Sequence, residues 1–133
     1  MSQASDYLEN KVIDHVFRNT TYTPAATLYL ALITSSGSSA GLEAGTLTGE
    51  VSGGSYARQT VTFSAASGGS TSNSGTITFP AASATWGTIR YVAVMDASSA
   101  GNVLWYQQLT SDVTINSGNT FQFNTGSVTI TVA

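Results

Sequence analysis

The sequence predicts a mainly β protein: one domain, a β-sandwich or barrel-like Greek key of about eight strands, with a single amphipathic helix at the N-terminus. Three observations carry this. Residues 53–132 run as short Val-, Thr- and aromatic-rich segments separated by Gly/Ser/Asn turns, the spacing of an all-β fold. Only residues 5–18, SDYLENKVIDHVFR, show apolar residues at helical spacing. The 133 residues suit one domain, and 41% apolar composition is enough for a core. The expected division is a helix and linker over 1–24 and a β-sandwich over 25–133.

In the helix, Ser5 is a suitable N-cap, and Asp6 and Glu9 in the first turn favour the positive end of the helix dipole. Leu8, Val12, Ile13, Val16 and Phe17 form one stripe, and Asn19 can end the helix. Such a stripe usually docks on its own sheet. The alternative is docking on a partner or on sister chains, and Leu8, Val12, Val16 and Phe17 are the candidate docking residues. Residues 20–24 read as a connector ending at Pro24.

Residues 27–34, TLYLALIT, are apolar enough for a strand buried on both faces. A long loop follows over 35–54. Loops of that length are uncommon in compact domains and often functional, so Leu42 and Leu47 become candidate contacts to a neighbour. Residues 56–63 alternate with period two. Residues 65–74 read as a turn, 75–79 as a strand stopped by Pro80, and 89–96, IRYVAVMD, as the most apolar strand. Residues 102–109 should be its hairpin partner, 113–115 and 120–123 a further hairpin, and 127–132 the last strand. Trp105 and Tyr106 are neighbours on one strand and face opposite ways, so one is expected inside and one outside. Trp86, Tyr91 and Trp105 are the candidate surface-binding aromatics.

Charge excludes several functions. Asp, Glu, Lys and Arg make up 8% of the chain, against about 25% in typical soluble domains. A surface so poor in charge suits a protein covered by copies of itself or by a larger assembly. One Lys and a net charge of −3 argue against nucleic acid as partner. No apolar run reaches membrane-spanning length, and no secretory signal is read at the N-terminus. His15 is the only histidine and there is no cysteine. Neither nucleophilic catalysis nor a metal centre has its residues, and no cofactor motif is present. Asp96 and Asp112 stand at strand ends where a turn role is expected, with a glycan-cleaving pair the remote alternative. Calcium on Asp96 and Asn102 is a weak further reading.

The segments SDYLENKVIDHVF, YTPAATLYLALIT, EVSGGSYARQTVTF and FPAASATWGTIRYVAVMD…GNVLWYQQL, in that order, resemble a group of small tailed-bacteriophage virion proteins described as tail-fibre-like or structural. The resemblance spans nearly the whole chain. It implies a non-enzymatic virion component, made in the host cytoplasm and assembled into the particle. A short single-domain chain of this kind is expected to be a capsid decoration protein on the shell lattice. The alternative is a tail-associated adhesin for a host glycan or protein. Expected partners are further copies of the chain, as a homotrimer, and the major capsid or tail proteins.

Overall fold

The computed structural model describes residues 2–132. In chain order the elements are β1 Ser2–Ala4, α1 Asp6–Phe17, β2 Leu28–Thr34, α2 Ser39–Glu43, β3 Gln59–Val61, β4 Ser70–Ser72, β5 Ile77–Thr78, β6 Gly87–Met95, β7 Val103–Ile115, β8 Gln122–Phe123 and β9 Thr129–Thr131. The main sheet is antiparallel with order β1-β7-β6-β2-β3. Two further strand pairs, β4–β9 and β5–β8, form a second layer, and among the described residues no sheet closes into a barrel. The sandwich reading is therefore the one realised.

Both faces of the main sheet are covered. Leu30 and Leu32 of β2, with Val92 and Val94 of β6, pack against Phe79, Phe123 and Val128 of the second layer. The intervening Ala31, Ile33, Ala93 and Met95 pack on the opposite face with Leu42 and the half-buried Leu47. Period-two alternation thus buries every residue of β2 from Leu30 to Ile33. The long 35–54 segment is the cover of that second face. Its α2 is capped by the Ser38 hydroxyl, which accepts from Gly41 N at 3.0 Å.

Several expectations are corrected. Both Trp105 and Tyr106 are buried, one on each face, because both faces are covered at these positions. The expected strand over 56–63 is a ladder only at Gln59–Val61, since Tyr56 and Arg58 use their side chains as braces. Tyr56 Oη accepts from Leu32 N at 3.0 Å and donates to Glu50 at 2.9 Å. The expected turn over 65–74 contains β4, entered through Gly68 and Gly69 at φ +60° and +77°.

Segments 102–109 and 113–115 are one strand, β7, of 13 residues. Its register against β6 jumps from Tyr91↔Gln108 to Ile89↔Val113. The surplus residues stand opposite Arg90, which grips Asp112 through two bonds of 3.1 and 2.7 Å. Residues 120–123 do not return on 113–115. The turn closed by Asn119 N donating to Asn116 O passes the chain into the second layer, where β8 pairs with β5.

The strand β1 has no sequence signal, because three residues cannot display a period. It pairs with Trp105–Gln107 as the outer strand of the main sheet. Ser5 follows it, fully buried. Its hydroxyl accepts from Leu8 N at 3.3 Å as the N-cap and donates to the Val103 carbonyl. One side chain therefore starts the helix and ties it to the core.

Candidate docking surface

Helix α1 is well terminated. Arg18 N donates to Asp14 O at 3.1 Å, Asn19 takes φ +54°, and Tyr22 N donates to His15 Nδ1 at 3.1 Å. Yet no residue of the helix is buried. Leu8 is half-buried, and exposure then rises toward the C-terminus: Val12 44%, Ile13 52%, Val16 63% and Phe17 78%. The expectation of a helix docked on its own sheet holds only for the first turn.

Between α1 and the sheet edge lies an open groove of about 480 Å³. Leu8 and Val12 form one wall, Ile130 and Val132 the other, with Ala4 and Trp105 also lining it. Val132 is itself 76% exposed. The stripe residues are visible in sequence. The far wall is not, because it comes from the other end of the chain. Of the candidate docking residues, Leu8 and Val12 line this groove and Val16 and Phe17 are exposed outside it, whereas Leu42 is buried and Leu47 half-buried under the loop.

The three candidate surface aromatics are inside. Trp86, Tyr91 and Trp105 are buried. Trp86 stands edge-on to Tyr56 at 5.5 Å and donates Nε1 to Gly54 O at 2.8 Å. No stacking platform for a sugar can be made from these three.

Near the base of the helix, Tyr106 and then Gln3 donate to the carboxylate of Glu43 and hold its pKa below the usual carboxylate value. Burial, then the bond to Glu43, pushes the Tyr106 phenol upward. This contact joins β1, β7 and α2. Because the folded pKa of Glu43 is lowered, its contribution is present above the unfolded value and is lost as pH falls through the folded one. Glu43→Gln is expected to lower the melting temperature at pH 7, with the gap to wild type closing below about pH 4. Melting curves of both proteins across that range are the check.

Asp6 and Glu9 lie close to Glu43, with ligand-type oxygens within 4.8 Å of one another. Asp6 and Glu9 are exposed, and each of the three carboxylates brings one oxygen to the cluster, short of the six to eight of a calcium cage. The other candidate polar residues have structural roles. Both Asp96 oxygens are taken by Asn102, at 2.7 and 2.9 Å, and Asp112 by Arg90.

The sequence matches the family described as Podophage GP4 fiber I protein gp80 over residues 3–131. The chain belongs to that family. It is a bacteriophage structural protein and a component of the virion. No curated protein matches it. Among the described residues no helix is long and apolar enough to cross a membrane.

Proposed function

We propose that this chain is a non-enzymatic subunit of the phage's tail-fibre apparatus, held in the assembly by the apolar stripe of α1. The fibre family supports this tail-associated reading over decoration of the shell lattice. The observation that carries the docking role is the exposure of Val12, Ile13, Val16 and Phe17, at 44–78%, in a chain whose other large apolar side chains are mostly buried. Leaving such a stripe in water is unfavourable, and stripes of this kind mark interaction sites. The non-enzymatic reading is supported by the structural roles of Asp96, Asp112 and His15. A glycan-binding role through Trp86, Tyr91 or Trp105 has no support, since all three are inside.

The test is the triple variant Val12→Gln, Val16→Gln, Phe17→Gln, which keeps good helix formers on the exposed face. Exposed substitutions usually change stability by no more than about 0.5 kcal/mol each. The free protein should therefore melt within a few degrees of wild type, while its copy number in assembled particles falls sharply. Normal loading of the variant would remove the stripe as the anchor. Labelled protein seen over the whole head, rather than at the tail, would return the decoration reading.

A further inference from the structure

Resting on that reading of α1 as a docking surface, we propose that the groove beside Leu8 seats a peptide segment of a different virion protein, with an apolar side chain in the groove and a lysine or arginine next to it. The groove supplies the apolar half. Leu8 and Val12 face Ile130 and Val132 across an opening of about 480 Å³. Its rim supplies the charge. Glu9 also lines the groove, and its carboxylate lies in one cluster with those of Asp6 and Glu43, their oxygens within 4.8 Å of one another. Gln3 lines the groove too and donates to Glu43, so groove and cluster are continuous. Like charges this close repel unless a cation stands among them.

This chain does not supply that cation. It has four Lys and Arg side chains. Arg18, Arg58 and Arg90 pair with Asp14, Glu50 and Asp112, and Lys11 lies over the Tyr7 ring, 5.6 Å from its centroid. Among the described residues no salt bridge reaches Asp6, Glu9 or Glu43. A second copy is equally short of arginine to offer, so the charge points to another protein. The groove floor carries a further unmet group. Trp105 lines it at 4% exposure, and its indole N–H has no acceptor among the described residues. A buried donor left unpaired is unfavourable. That N–H is covered in the free chain, so an occupant meets it as the groove walls part. A peptide brings backbone carbonyls to it, whereas a lipid tail brings none. The carboxylates at the rim also repel the phosphates of anionic lipids and of nucleic acid.

Two short acetylated peptides test this on the full chain, one of leucines and lysines, the other with glutamates in place of the lysines. The lysine peptide should bind and shift the NMR signal of the Trp105 indole N–H, while that of Trp86, bonded to Gly54 O, stays in place. Asp6→Asn combined with Glu9→Gln should weaken binding by about threefold to tenfold, the effect of two exposed charge pairs. Both positions are exposed, so this variant should melt within a few degrees of wild type. Equal binding of the glutamate peptide, unchanged binding by the folded double variant, or binding that leaves the Trp105 signal unmoved overturns the proposal. On particles the double variant should load poorly. If it loads normally while the triple glutamine variant fails, the basic partner falls and the docking role stands. If the triple variant loads normally, the docking role falls and the groove partner with it.

Discussion

Replacing Arg58 with alanine is expected to destabilise the fold by about 3–5 kcal/mol, the cost of removing one partner from a buried ion pair. The Arg58 side chain is 3% exposed and that of Glu50 19%. Nε and one terminal nitrogen each meet a different oxygen of Glu50 at 2.8 Å. The other terminal nitrogen donates to the carbonyls of Ala97 and Ala100, both at 2.8 Å. Glu50 also accepts from Tyr56, whose hydroxyl takes the Leu32 amide. One guanidinium therefore ties the loop before β3 to the β6–β7 turn and, through Tyr56, to the central strand β2. Alanine leaves Glu50 half-buried without its cation and deprives two carbonyls of a donor. The melting temperature should fall by roughly 10–20 °C. Removing both charges with Arg58→Met and Glu50→Leu should cost less than Arg58→Ala alone, since no unpaired charge is left. A single variant that melts within about 2 °C of wild type would show that the network braces nothing.

This network also marks the limit of what the sequence reveals. Arg58 and Glu50 stand in a predicted strand and a predicted loop, and nothing in their spacing says that they meet. Elements whose pattern is long enough are legible: α1 was expected over 5–18 and forms over Asp6–Phe17, and β2 and β6 fall within two residues of their expected ends. Elements of two or three residues are not. The strands β1 and β4 carry no period: β1 forms on the backbone groups offered by the much longer β7, and β4 pairs with the equally short β9 from the other end of the chain. In sequence β7 looks like two strands, because the polar Thr110–Asp112 interrupts its apolar pattern. Those polar residues are instead the surplus that bulges past Arg90.

The candidate site follows the same rule. The stripe of Leu8, Val12, Val16 and Phe17 is local and readable at helical spacing. The aromatics Trp86, Tyr91 and Trp105 were misplaced because burial depends on what covers the sheet. The cover of its second face comes from a segment read as a free loop. The low charge is legible, and the structure gives it a sharper meaning. Arg18, Arg58 and Arg90 are paired with Asp14, Glu50 and Asp112 within the chain. Few charged side chains are left outside these pairs.

Two phenylalanines separate folding from docking. Phe79→Ala should destabilise the protein by about 3–5 kcal/mol, as deletion of a well-packed core ring does. Phe79 is 1% exposed and sits among Tyr56, Phe121, Trp86 and Phe123, with ring centroids at 6.1, 6.2, 6.5 and 6.4 Å. Its amide donates to Phe121 O at 2.9 Å, so the backbone on which the ring stands continues the β5–β8 pairing. Alanine leaves a void lined by four rings that cannot all move inward, and it removes edge-to-face contacts worth about 0.5–1.5 kcal/mol each beyond their area. Leucine refills much of the space and should cost less than half as much. Phe17→Ala makes the same chemical change at 78% exposure and should move the melting temperature by no more than a few degrees. Below its lowered melting point, Phe79→Ala keeps α1 intact and should still load onto particles, whereas Phe17→Ala should melt normally and load poorly. If the two variants exchanged these outcomes, the stripe would be part of the core and the second layer part of the contact surface.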